Sequence, residues 1–256
     1  MQKNYILFDL DGTLTDPMVG ITRSVQYALA HYGIREPDLT KLTPFIGPPL
    51  KESFMRYYHF PEDQAQEAIG VYREYYGEKG IFENEELPGV RQMLMQLKEA
   101  GKVLLVATSK PERYAKMILA HFELDPYFTY VGGADMEEAR AKKGDVIRYV
   151  LEQAQILDEE DLERAAARET LAGARKVQSA TEKTPAAAGI DMAAARKAQA
   201  VMVGDREHDI FGAKENQLQS VGVLMGYGSR DELEAAGADK IAADAAELTE
   251  ILLGEW

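Results

Sequence analysis

Acidic residues crowd one short stretch, Phe8-Asp9-Leu10-Asp11-Gly12-Thr13-Leu14-Thr15-Asp16, directly after the apolar run Tyr5-Ile6-Leu7. Side chains alternate along a strand, so Asp9 and Asp11 start on one side, and Gly12 permits a tight turn that exposes backbone N–H groups. Two carboxylates this close resist joint ionisation unless a cation or hydrogen bonds intervene. One can then serve as an ionised nucleophile or metal ligand while the other holds a proton as general acid. The same residues also suit a plain Asp-rich turn that caps the following segment.

Three further stretches carry polar residues where apolar runs end. Thr108 and Ser109 follow Lys102-Val103-Leu104-Leu105-Val106-Ala107; their hydroxyls can hold a phosphoryl oxygen, or one of them can cap a helix ahead of Pro111. Lys142-Lys143-Gly144-Asp145 precedes a helical pattern; a Lys there can neutralise a phosphate and a nucleophile, or both lysines can be solvated loop residues. Gly204-Asp205-Arg206-Glu207-His208-Asp209 closes the buried run Ala200-Val201-Met202-Val203. Acids at i and i+4 where a helix begins can face one way and suit a hard cation with oxygen ligands. Magnesium fits better than zinc or calcium, because the acids are few and no Cys or His cluster accompanies them. His208 reads as a surface residue.

The elements that must position these residues alternate. A strand over Tyr5–Leu10 is followed, from 17 to 85, by helical patterns at 21–34, 50–60 and 62–80, with turn-formers at Thr43-Pro44, Gly47-Pro48-Pro49 and Pro61. Tyr57, Tyr58, Tyr72, Tyr75 and Tyr76 in this interval read as helix–helix packing. From Leu87 onward helices and strands alternate, which implies parallel strands joined by right-handed crossovers. The predicted fold is an α/β, doubly wound parallel-sheet core over 1–16 and 86–256, with an inserted α-helical cap domain over 17–85. Residues 158–198 are Ala-rich and lack aromatics, and read as a mostly helical surface insertion, with helix over 161–178, a break at Thr184-Pro185 and helix again from 191.

A chain of 256 residues with 46% hydrophobic and 28% charged residues can bury a full core. No apolar run approaches the roughly 20 residues a bilayer crossing needs, and the N-terminus lacks the shape of a signal peptide. The absence of cysteine excludes disulfides, thiolate zinc sites and a Cys nucleophile. A net charge of -14 disfavours nucleic acid as partner. The expected partner is a small phosphorylated metabolite, with no membrane, a cytoplasmic location and a monomer or homodimer.

Taken in order, Asp9-Leu10-Asp11-Gly12-Thr13-Leu14-Thr15-Asp16, Ala107-Thr108-Ser109-Lys110-Pro111, the Lys of Lys142-Lys143-Gly144-Asp145 and Val201-Met202-Val203-Gly204-Asp205 through Asp209 resemble the four motifs of the haloacid dehalogenase-like superfamily. The match is to its phosphatases with a helical cap, in the phosphoglycolate phosphatase-like or 5'-nucleotidase-like branch, and covers the chain except 158–198. The resemblance implies that Asp9 attacks phosphorus and forms an aspartyl-phosphate. It implies that Asp11 protonates the leaving alcohol and later deprotonates water, with its backbone carbonyl on the metal. Gly12, Thr13, Thr108 and Ser109 would hold phosphoryl oxygens, and Lys143 would bridge nucleophile and phosphate, with Lys142 as rival one residue away. Asp205 and Asp209, with Asp9 and Asp11, would hold Mg2+. Thr15 and the Gly47, Pro48 and Pro49 of Phe45–Leu50 are candidates for substrate choice, on a cap hinged near Asp16-Pro17 and 83–88. Competing readings are an idle binding or regulatory protein of the same fold, a phosphomutase, and a phosphonatase using Lys41 or Lys51 as a Schiff base.

Overall fold

The computed structural model describes residues 2–136, 140–154 and 196–256. Among them the chain runs β1 (Tyr5–Phe8), β2 (Thr15–Asp16), α1 (Met18–His31), α2 (Leu50–Tyr58), α3 (Glu62–Glu78), β3 (Glu85–Glu86), α4 (Val90–Glu99), β4 (Val103–Pro111), α5 (Glu112–His121), β5 (Tyr130–Ala134), α6 (Lys143–Gln153), β6 (Ala200–Gly204), α7 (Glu207–Glu215), β7 (Gln219–Val223), α8 (Arg230–Ala236), β8 (Lys240–Ala242) and α9 (Ala245–Leu253). The expected helices at 161–178 and from 191, and the break at Thr184-Pro185, lie outside the described residues, apart from a helical turn at 196–198.

Six strands form one parallel sheet in the order β5-β4-β1-β6-β7-β8. The strands are apolar on both faces because both are covered. Ile6 and Phe8 of β1 join Leu104, Val106, Val201 and Val203 in one core, while Leu7 joins Leu105, Ala107, Ala200 and Met202 in a second. Helices α4 and α9 pack together, and α6 packs with α7 against β4 and β5. This is the doubly wound core read from the alternating pattern.

The order of strands sets the site. β1 lies between β4 and β6, with Phe8 in register with both Val106 and Val203. The chain leaves the sheet from β1, β4 and β6 at neighbouring carboxyl ends, where open parallel sheets place their ligands. β1 stops at Phe8, two residues short of the predicted strand, although the Asp9 N–H still donates to the Val203 carbonyl at 2.8 Å. The buried Leu10 makes the sequence pattern run on past the true end. β7 ends at Val223, although the Leu224 N–H still donates to the Ala242 carbonyl at 3.0 Å, and the bends that follow bring Gly226 and the Tyr227 N–H to Asp205. Helix α8 is too short to show periodicity; it is capped by Ser229, whose hydroxyl accepts the Glu232 N–H.

Between β2 and β3, which pair antiparallel as a two-stranded ribbon, the chain forms the helical insertion α1–α3. Its core is aromatic. Phe54 is fully buried, edge-on to Phe45 at 5.0 Å and stacked on Phe60 at 5.7 Å. Phe54→Ala is expected to cost about 3–5 kcal/mol in urea unfolding, the usual loss for a fully buried ring.

Candidate active site

The sheet delivers Asp9 from the end of β1, Thr108 from β4, and Asp205 just beyond β6. Helix α6 brings the last component. Lys143 is its first residue and is buried, with Nζ 2.7 Å from Asp9 Oδ1 and 2.8 Å from Asp209 Oδ1. Its neighbour Lys142 is exposed and lies outside the cluster. Asp209 sits in the first turn of α7, where its Oδ2 also accepts the Arg206 N–H at 3.1 Å. Carboxylate oxygens of Asp9, Asp205 and Asp209 all lie within 4.8 Å of one another.

Burial governs the electrostatics. Asp205 is held well above the usual carboxylate range by burial, then by the charges of Asp209 and Asp9; the Tyr227 N–H, donating to its Oδ2 at 2.7 Å, pulls the other way. Burial also pushes Asp209 up to about 6, against the pull of Lys143. Burial works against the Lys143 ammonium, but Asp209 and Asp9 outweigh it and raise its pKa. Asp205 Oδ1 is buried and accepts no hydrogen bond. An all-carboxylate set with one unsatisfied buried oxygen fits a hard divalent cation such as Mg2+.

Two glycines make room for Asp205. A Cβ on Gly12, whose φ of +78 already favours glycine, would lie 2.3 Å from Asp205 Oδ2. A Cβ on Gly226 would lie 2.2 Å from the same oxygen. Gly226 and Tyr227 escape a sequence reading because the apolar pattern of Val221–Leu224 runs on into Met225 and does not mark where the loop folds back; Leu224–Gly228 reads as a continuation of β7.

Asp11 faces another way. Its Oδ2 is 2.7 Å from the ammonium of Lys110, a buried residue that the sequence reading did not single out as functional. Burial raises the Asp11 pKa, Lys110 opposes it, and the Asp9 charge adds to the rise. The Asp11 carboxylate is thus separate from the Asp9–Asp205–Asp209 group. A correction applies to Gly12 and Thr13 as backbone donors. The turn closes on itself, with the Gly12 N–H donating to the Thr15 carbonyl at 2.7 Å and the Thr13 N–H to Leu10 at 3.2 Å. What these residues leave unpaired is the buried hydroxyl of Thr13; that of Thr15 is unpaired as well.

Thr108 is buried and accepts the Lys110 N–H at 3.2 Å, while α5 takes Pro111 as its N-cap residue, so neither Thr108 nor Ser109 caps that helix. Ser109, Lys110 and Asp11 line a cavity with Tyr72 and Tyr76 of α3. Gly47, Pro48 and Pro49 close another side of it, held to the core by the Arg206 guanidinium, which donates to the Ile46 carbonyl at 3.1 Å. Tyr72 and Tyr76 therefore face the site as well as packing the insertion. Asp16 is structural here, accepting the Met18 N–H at 2.9 Å and the Tyr227 hydroxyl. His208 is exposed.

A family model described as haloacid dehalogenase-like hydrolase matches residues 6–162, and one described as HAD-hydrolase-like matches 163–248. The chain belongs to the haloacid dehalogenase-like hydrolase family. It is 40% identical over 247 residues to a 5'-nucleotidase of Pseudomonas aeruginosa, covering 96% of this chain and 94% of the relative. It is also 33% identical over 249 residues to the tyrosine-protein kinase PtkA of Mycobacterium tuberculosis, covering 96% of this chain and 72% of that protein. The crystal structure of a predicted phosphatase from Clostridium acetobutylicum superposes with a TM-score of 0.81 at 40% identity, covering 99% of each chain. Within the haloacid dehalogenase-like family the chain is a phosphatase.

The raised acids predict how metal and pH act together on stability. An acid whose folded pKa is raised adds stability that is full below its unfolded pKa and lost as pH climbs through the folded value, about 6 for Asp209. Mg2+ is therefore expected to raise the melting temperature more at about pH 8 than at about pH 5, because only ionised acids need the ion. Thermal melts with Mg2+ and with EDTA check this, and Asp205→Asn should remove most of the rise.

Proposed function

We propose that this phosphatase hydrolyses a small phosphomonoester, phosphoglycolate-like or nucleoside-monophosphate-like, through a phosphoryl group carried on Asp9. The observation that carries this reading is Lys143 bridging Asp9 and Asp209 at 2.7 and 2.8 Å inside a buried acid cluster. Mg2+ would be held by Asp9, Asp205 and Asp209, and when bound supplies positive charge for the phosphoryl oxygens.

The residues divide the work. Asp9 forms a bond to phosphorus as the bond to the alcohol oxygen breaks, and Asp11 gives its proton to that departing oxygen. Asp11, now a carboxylate, takes a proton from water as the water attacks phosphorus. Phosphate leaves and the Asp9 carboxylate is restored. The Lys143 ammonium offsets the charge that otherwise keeps an anionic nucleophile from an anionic phosphate. The hydroxyls of Thr13, Thr108 and Ser109 would donate to phosphoryl oxygens, and the insertion would cover the leaving group and exclude water.

The cavity is ≈ 90 Å³, which supports a short leaving group with the insertion seated as it is. The phosphonatase reading gains no support from the cavity lining: Lys41 is exposed and Lys51 pairs with Glu62 at 2.7 Å. The idle-protein and mutase readings are separated from hydrolysis by release of inorganic phosphate. With Mg2+ present, Asp9→Asn is expected to lower kcat by at least about 10⁴-fold. Lys143→Met should lower it by about 10²–10³-fold or more. EDTA should abolish release and Mg2+ restore it; phosphate release that survives both EDTA and Asp9→Asn would refute the proposal.

A further inference from the structure

Lys110 is buried, charged and has no part in the division of work above. Its ammonium makes two contacts that join separate parts of the molecule. One is the ion pair to Asp11 Oδ2 at 2.7 Å. The other is a hydrogen bond to the hydroxyl of Tyr76 at 2.7 Å, from α3 of the helical insertion. Tyr76 is itself fixed: it is 2% exposed, stacked on Tyr72 at 5.3 Å and edge-on to Tyr114 at 5.4 Å. The ammonium also lies 4.8 Å from the centre of the Tyr76 ring. The insertion thus grips Lys110, and Lys110 grips one oxygen of Asp11.

The other oxygen, Asp11 Oδ1, is buried and accepts no hydrogen bond. We propose that Lys110 is a positioning residue for the departing-group proton: it holds Oδ2, so that Oδ1 alone faces the reaction, and Tyr76 makes this hold depend on the insertion being seated. As Asp11 gives up the Oδ1 proton to the leaving oxygen, negative charge grows on its carboxyl group beside the Lys110 ammonium. That charge is met by a fixed partner, and the site need not reorganise to supply one. With the insertion lifted away, Lys110 loses its Tyr76 anchor, so proton donation is tied to enclosure of the substrate. This inference rests on Asp11 acting as the acid.

The test compares two esters of similar shape. Phenyl phosphate releases a strongly basic phenoxide, with a conjugate acid near the tyrosine value of about 10, whereas 4-nitrophenyl phosphate releases a weak base that departs without a proton. For the Mg2+-loaded protein, kcat/KM reports steps up to the first irreversible one, so water attack on Asp9-phosphate does not obscure the comparison. Lys110→Met is expected to lower kcat/KM on both esters, but by at least about 10-fold more on phenyl phosphate, part of the 10²–10⁴ that a general acid supplies. Tyr76→Phe keeps the ring packing and should show the same preference to a smaller degree. Equal losses on the two esters in Lys110→Met would make Lys110 merely structural and overturn the proposal. If that variant does not fold, equal losses in Tyr76→Phe overturn it instead. Asp11→Asn separates the two levels. A preferential loss there with equal losses in the Lys110 and Tyr76 variants sinks only this inference; equal losses in Asp11→Asn sink the acid reading of Asp11 and this inference with it.

Discussion

Three buried carboxylates share one end of the sheet, and the ammonium of Lys143 is the cation that lets the fold keep them there. Stripping an ionised carboxylate of water costs several kcal/mol even after relaxation. Lys143 offsets this for Asp9 and Asp209 together, at 2.7 and 2.8 Å. Three carboxylates and one ammonium still leave two negative charges when all are ionised, which matches one divalent cation. Much of the surrounding structure serves this arrangement. Helix α6 begins at Lys143, Gly12 and Gly226 give Asp205 its room, and the Tyr227 N–H satisfies Asp205 Oδ2.

A second lysine repeats the device for a different acid. Lys110 pairs with Asp11 as Lys143 pairs with Asp9, so two neighbouring carboxylates stand in different fields despite being two residues apart. Environment, more than residue type, separates nucleophile from acid in such a pair. The two lysines also differ in what anchors them. Lys143 is held entirely by the core, whereas Lys110 is tied to Tyr76 of the insertion. Arg206 adds a second tie across the same divide, reaching the Ile46 carbonyl while it pairs with Glu232.

The fold was largely legible because its signals are local. Continuous apolar strands, helical spacing in 17–85 and turn-formers at the boundaries each act over a few residues. Site residues on strand ends were legible for the same reason: Asp9, Thr108 and Asp205 follow apolar runs directly. Lys143 and Lys142 could not be told apart, since only the first turn of α6 decides which one enters the core. Lys110 was quoted in its motif and given no role, because its partners are Asp11 and a tyrosine 34 positions away in another unit. Gly12 and Thr13 show the opposite failure. The turn was recognised, but which carbonyls its N–H groups would meet depends on how tightly it closes.

The central claim is that Asp9, poised by Lys143, becomes covalently phosphorylated during turnover. A single turnover with enzyme in excess over an aryl phosphate, quenched in acid at successive times and analysed by peptide mass spectrometry, tests it most directly. The account predicts that the peptide containing Asp9 gains the mass of one phosphoryl group as the alcohol is released, and loses it as inorganic phosphate appears. Alcohol and phosphate released together, with no phosphoryl group on Asp9 at any time sampled within the turnover, would contradict it.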